Sequence, residues 1–390
     1  MTEDGLAAAS ERAPKSAPLA WRDVSDPVER ESARMDSFRH ALDAVKSEVD
    51  AQLGEDDVRY IRRVNRLSRG LEVFGRVVLH FSLGPISFLT GVLCLTVHKC
   101  LETMELGHSA LHGAFDRFEE LPELHSERYY WEAPIDEEAW KYGHNVRHHM
   151  HTNIAGKDGD IHFGQIRLTE HTPHSLVHRI QQAYAIGFLL PMFTDAMNCH
   201  FAGVVDYWRG NGRAEQFDFI KDRSWGSFKE SHAKAFRKYG TYYAKNYLLF
   251  PLLAGAMWWK VLCGNLLANL LRNIYTGLTI FCGHVGEDVA DFPEGTKARG
   301  RGRWYAMQVE ASQNYRVPWA LSVLSGALDL QIEHHLFPKL PPNRLRQIQP
   351  QVEAICAEHD VAYRMESWAT TLRTVFSELH RLSRPVELAS

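Results

Sequence analysis

From residue 36 onward, apolar side chains recur every three or four positions, and two long stretches are apolar almost throughout. A 3.6-residue period places such positions on one face, so the pattern predicts helices rather than sheet. Residues 1–35 are rich in Ala, Ser, Glu and Arg with few large apolar side chains, and read as a disordered tail. Asp36 then reads as an N-cap, with Phe38, Leu42, Val45 and Val49 on one face and Gly54 as the stop. A second amphipathic helix starts at Asp56 and Asp57. Its apolar face is Val58, Ile61, Val64, Leu67 and Leu71, and its other face carries Arg59, Arg62, Arg63, Arg66 and Arg69. An arginine-rich helix directly before an apolar run reads as juxtamembrane and cytoplasmic. The plainer alternative is a solvated helix face. Residues 36–70 thus form an amphipathic juxtamembrane unit.

Residues 71–106 are the first long apolar run and 246–282 the second. One membrane span takes about 20 residues, so each run is long enough for two short spans. Gly84-Pro85 marks the turn in the first run, and Cys263-Gly264-Asn265 the turn in the second. Arg76 and His80 weaken the first leg. Residues 183–207 are less apolar, broken by Pro191, Asp195, Asn198 and His200, and read as an interfacial or half-buried helix. Residues 208–247, rich in Lys and Arg, and the Gly-rich 287–303 read as loops. Residues 71–342 form the main domain, and 343–390 a tail that is amphipathic helix to about 384.

Composition narrows the class. Hydrophobic residues make up 45% of 390, and mean hydropathy is -0.30. That excludes a chain lying mostly in lipid and allows a few spans under a polar cap. A net charge of -4 gives no reason to expect nucleic acid as a partner. The six cysteines form no C-x-x-C pair, so zinc-ribbon and thioredoxin chemistry lack support, and the thiols read as reduced. The first 20 residues lack the apolar core of a secretory signal.

The 21 histidines carry the chemistry, because three clusters stand beside the apolar runs. His108 and His112 lie one helical turn apart, flanked by Gly107 and Gly113, which let neighbours approach closely. His144 and His148 repeat that spacing, and His149, about 100° round the helix, is free for a second ion. Gln331, His334 and His335 precede Leu336-Phe337-Pro338, where proline ends the helix. Imidazole is the commonest metal ligand, and these seven suffice for two ions. His151 falls near the His144 face, as a ligand, a partner of one, or neither. Glu333 is placed to orient an imidazole through its free N–H, or is a solvated charge. His284 stands alone at the end of the second run. His162, His171, His174 and His178 read as loop or surface residues.

The runs Gly107-His-Ser-Ala-Leu-His112, His144-Asn-Val-Arg-His-His149 with Thr152-Asn153, and Gln331-Ile-Glu-His-His-Leu-Phe-Pro338 bracket the two apolar runs in order. In combination they resemble the membrane-bound fatty acid desaturases over roughly residues 60 to 350. The resemblance implies two iron ions, with O2 as co-substrate and ligands at His108, His112, His144, His148, His149, His334 and His335. A further family ligand matches His284. Gln331 stands where many members have histidine, a variant that resembles front-end and acyl-lipid desaturases. Some front-end members carry a fused cytochrome b5 domain with an H-P-G-G motif. This chain has none, so a separate electron donor is expected: a ferredoxin, a rubredoxin or a cytochrome b5-type protein. Some acyl-CoA members have an asparagine four residues before the histidine matched to His284, where this chain has Ile280.

The fold expected is therefore all-α: about four transmembrane helices in two hairpins, with a cytoplasmic helical cap holding a dimetal site and both termini on the cytoplasmic side. The function expected is oxygen-dependent desaturation of an acyl chain linked to lipid, CoA or a carrier protein, with membrane lipid around the spans. No general base apart from the metal ligands is needed. All-nitrogen ligation alone also suits zinc, copper or nickel. A di-iron hydroxylase of a lipid, alkane or carotenoid is the alternative within the class. A metal-binding membrane protein without redox chemistry is the alternative outside it, pointed to by Lys260, Asn265, Asn269, Arg272 and Asn273 within the second run.

Overall fold

A computed structural model describes residues 20–161, 166–209 and 217–385. Helix α1, Pro27–Gln52, begins nine residues before the expected cap at Asp36. Asp26 is the cap, accepting from the N–H groups of Val28 and Glu29 at 2.9 Å each, with proline at N1. Residues 27–35 therefore belong to the fold rather than to the tail, of which 1–19 lie outside the described residues. The expected face, Phe38, Leu42, Val45 and Val49, is buried.

Helix α2, Glu55–His80, runs unbroken from the arginine-rich segment into the apolar run. Val58, Ile61 and Val64 face inward as expected, but Leu67 is 55% exposed. The chain turns where Gly84-Pro85 predicts, and α3 is one helix, Pro85–Leu111. A Cβ at Gly91 would lie 3.0 Å from the Gly75 carbonyl oxygen, so paired glycines let α2 and α3 pack with their backbones close. Val73, Phe74, Val77, Ile86, Leu89 and Leu93 point outward and are exposed. Pro85–Leu111 is the one helix, among the described residues, long and apolar enough to cross a membrane.

Residues 208–247 are not a loop throughout. Ser224 caps helix α4, Trp225–Tyr243, which continues through Ala244–Leu249 and Phe250–Leu253. The turn of this second hairpin falls at Ala254–Met257, with Gly255 at φ 55°, rather than at Cys263–Asn265. Helix α5, Trp258–His284, passes through those residues unbroken. Gly264 is a contact glycine: a Cβ there would lie 2.6 Å from Leu79. Asn265 donates to the Asn246 carbonyl at 2.6 Å. The other polar residues of α5 also face neighbouring helices and are buried. Lys260 donates to the carbonyls of His80 and Ser82 at 3.0 Å each, joining the two hairpins at their turns.

The stretch 183–207 is three short helical segments rather than one: Gln181–Tyr184 running on through Ala185–Leu189, then Phe193–Phe201, then Val204–Arg209. Phe193–Phe201 packs on α5, where Thr194 donates to Asn273 at 2.8 Å. Helix α6, Arg301–Glu310, lies on α1, and Gly302 is obligatory because a Cβ would sit 2.0 Å from the Met35 carbonyl oxygen. The tail holds α7, Pro342–Glu358, and α8, Trp368–Leu382. Between them Met365–Ser367 pairs in parallel with Asn314–Arg316, a three-residue ribbon too short for an alternation signal.

Candidate metal centre

The histidine clusters converge from four elements. Helix α3 ends in a π-helical stretch, Leu101–His108, and delivers His108 and then His112. Trp131 explains the wide turn: its indole N–H donates to the Glu102 carbonyl at 3.1 Å. A Cβ at Gly107 would lie 2.1 Å from that indole nitrogen, so glycine is required there. Asp136 caps Glu137–Trp140, which runs on as a second π-helix, Lys141–His148. The end of α5 brings His284, and Gln331–Leu336 brings His334 and His335.

The ring nitrogens form two groups. His108, His112, His144 and His334 are one, and His148, His284 and His335 the other. His108 Nε2 lies 3.0 Å from His334 Nε2 and 3.1 Å from His112 Nε2. His284 Nε2 lies 3.3 Å from His148 Nε2 and 3.1 Å from His335 Nε2. His149 joins the first group, with Nε2 3.2 Å from that of His144. This corrects the expected pairing of His144 with His148. In a π-helix the backbone bond runs to the fifth residue, and His149 N–H donates to the His144 carbonyl at 2.9 Å. The wider turn brings His149 to the His144 side and sends His148 to the other group.

These spacings fit metal ions. Two imidazole nitrogens about 2.0–2.1 Å from one ion, at roughly right to tetrahedral angles, stand about 3.0–3.4 Å apart. Burial holds His112, His144, His149, His334 and His335 well below the ordinary histidine value, hence neutral with lone pairs free. His148 is opposite. Burial alone would lower it, but Asp158 and Asp160 raise it to about 9.

Residues without a role in the sequence reading hold the rings. Asp158 accepts from His148 Nδ1 at 3.0 Å and from the N–H groups of Asn153 at 2.7 Å and Asp160 at 2.8 Å. Thr152 Oγ1 and Gln308 Oε1 each lie 3.1 Å from His335 Nδ1. The acidic pair spaced by glycine, shortly after the second cluster, was the available signal for Asp158. Gln308 had none. Gln331 does reach the second group, its amide nitrogen 2.7 Å from His284 Nε2.

Glu333 does not orient an imidazole: it turns away, accepting from Asn314 and Tyr363 at 2.8 Å each. His151 stands outside both groups, in a surface hollow with Lys157 and Trp304. His174 lies 2.9 Å from the Ser383 carbonyl and His178 accepts from Ser175 N–H, both away from the centre, while His162 lies outside the described residues. Glu72, His98 and Glu132 also approach one another. Arg69, Arg76 and Lys245 pair with those carboxylates, making an ion-pair network.

A small cavity of about 40 Å³ lies against both groups, between α3, α5 and Phe193–Phe201. Met104, Trp131, Ile135, Phe193, Met197 and Ile280 give it an apolar wall. A second cavity, also of about 40 Å³, shares His148, Asp160, Phe193, Met197, Ile280 and His284 and continues it towards Leu168 and Val285. A narrow apolar passage thus runs past the ring nitrogens.

Comparison with known proteins points the same way. Residues 83–367 match the family model described as fatty acid desaturase. The chain is 33% identical over 377 residues to a NADPH-dependent stearoyl-CoA 9-desaturase of Mycobacterium tuberculosis, covering 94% of this chain and 84% of that protein. It is 29% identical over 233 residues to an acyl-lipid 8-desaturase of Rebecca salina, covering 58% of this chain and 47% of that one. It is 23% identical over 297 residues to an sn-1 linoleoyl-lipid 6-desaturase of Synechocystis, covering 72% and 77%.

Proposed function

Because the chain belongs to the fatty acid desaturase family, we propose that it desaturates a long acyl chain by O2-dependent di-iron chemistry. One observation carries this most: two groups of buried ring nitrogens face one apolar passage. His108, His112, His144, His149 and His334 would hold one iron, and His148, His284 and His335 the other, with Gln331 beside His284. Bound iron would supply O2 reduction and the oxidant that takes hydrogen from the substrate. The overall reaction balances: a CH2–CH2 pair, O2, two electrons and two protons give a CH=CH pair and two waters.

The protein's part is to bind, orient and exclude. Met104, Phe193, Met197 and Ile280 confine the alkyl chain and keep water from it. Asp158 and Gln308 fix the ring orientations of His148 and His335, so that each Nε2 faces inward. The electrons come from a separate carrier. The Mycobacterium tuberculosis relative is described as a NADPH-dependent stearoyl-CoA 9-desaturase, so stearoyl-CoA is the first substrate to test and NADPH the first reductant.

The two hairpins supply the anchor. From about residue 71 to 100, and along α4 and α5 between about 246 and 275, the outward faces carry exposed Phe74, Leu89, Leu93, Leu252, Leu266 and Leu270. An apolar patch of that extent belongs in lipid. Entering as hairpins would return the chain to the side that carries the histidine clusters, and the arginine-rich start of α2 supports the cytoplasm as that side.

The test is a fatty acid methyl ester profile of a host expressing the chain, beside a double variant His148→Ala, His149→Ala. New unsaturated species only with the unaltered protein support desaturation and locate the double bond. Hydroxylated products would replace this reading with that of a hydroxylase. Purified protein without about two iron ions per chain would sink the di-iron assignment.

A further inference from the structure

Towards the hairpin turns, the passage is lined by Thr103 of α3 and Thr276 of α5. What lies beneath these threonines is not apolar packing. Lys99 and Arg272 are 3% and 0% exposed and stand side by side. Both reach the Tyr242 hydroxyl, Lys99 at 3.0 Å and Arg272 at 3.5 Å. Lys99 also donates to Asn246 at 3.3 Å, and Arg272 to Asn269 and to Thr103 Oγ1 at 3.4 Å each. Among the described residues no carboxylate lies within ion-pair distance of either cation, and the Arg272 Nε–H has no partner.

We propose that this buried cationic layer is a chain-length stop: it fixes how far an acyl chain extends beyond its reacting carbons. The proposal rests on the acyl-chain reading above. A floor of leucines gives way when side chains rotate. Here an alkyl chain pushing past Thr103 would part the Arg272 guanidinium and the Lys99 amino group from their few hydrogen-bonding oxygens and offer none in return. Unpaired buried charge is among the costliest states a protein interior can hold. Thr103 is where the two meet, since it lines the passage and its hydroxyl accepts from Arg272. At the rise of an α-helix, Thr276 lies roughly 12 Å along α5 from His284. The distal acyl segment is confined to about that length.

The experiment uses the full chain in membranes, given saturated acyl substrates of graded length, with oxidised products sorted by chain length. Thr276→Leu raises the floor and should cut product from the longest accepted substrate about tenfold or more, since one methylene in a close pocket is worth that much. Arg272→Met replaces the charge with a flexible apolar side chain and should admit longer substrates by a similar factor. An active variant with an unchanged length profile overturns the proposal. So does loss of product at every length in both variants, which would place these residues in the scaffold of the metal centre. Double bonds and hydroxyl groups are scored alike, so a failure of the desaturase reading leaves the length readout intact.

Discussion

Asp158 is the residue on which the second histidine group turns. Its carboxylate accepts from His148 Nδ1 and from two backbone N–H groups, so the ring it holds is held in turn by the chain. Asp158→Asn keeps the size and removes the charge, and metal affinity should fall about 10–100-fold. Iron per chain, counted after dialysis against a weak chelator, checks this; an unchanged count would show that the carboxylate does not orient the ring. The eight histidines were legible because their spacing and their place beside apolar runs survive in one dimension. Glu333 was misplaced for a reason equally general. It adjoins His334 in sequence, but neighbours on a helix do not share a face, and its carboxyl leads to Asn314 and Tyr363.

At the scale of elements, the sequence reading failed where helices depart from the ordinary period. Nothing in Lys141–His148 distinguishes a π-helix from an α-helix until Gly143 meets the Phe201 ring and Trp140 stacks on His144. That register decides which imidazole serves which group. Deleting Val146, half exposed at 51%, makes His149 the fourth residue after His144, so an ordinary α-helical bond keeps it on the His144 side. The expected result is about two irons per chain still bound, with helix content by circular dichroism unchanged; loss of iron would mean that the wide turn itself, and not the face it sets, is required. The glycines divide in the same way. Gly84-Pro85 was legible as a turn, whereas Gly264 permits a close contact, and both uses look alike in sequence.

For the molecule as a whole, charge pairs fasten α7 to the helices of the first hairpin. Arg346 reaches Glu105 at 2.7 Å, and Arg344 reaches the buried Asp57 at 2.6 Å. Burial alone would raise the Asp57 carboxyl, but Arg344, Asn343 and the Gly54 N–H outweigh it and hold it below its ordinary 3.8. A carboxyl lowered by folding stabilises the fold above its unfolded value and loses that contribution as pH falls through the folded one. Asp57→Ala leaves Arg344 without its partner and should cost about 3–5 kcal/mol at pH 7, with the difference from the unaltered protein shrinking at a strongly acid pH where the carboxyl is protonated. Thermal unfolding in detergent at the two pH values tests both parts; an equal gap at each would remove Asp57 from the acid response.

The bond from Lys260 to the far end of the first hairpin also has a dimension in time. The carbonyls of His80 and Ser82 receive their donor from a residue 180 positions further on. At about 5–20 residues per second of synthesis, the first hairpin waits roughly 10–40 s on the ribosome with its turn uncapped, and Lys99 waits for Tyr242 over nearly as long. The nascent chain therefore passes through a stage in which half of the bundle exists and its buried Lys99 has no partner. That stage ends before either group of ring nitrogens is complete, since His284, His334 and His335 follow.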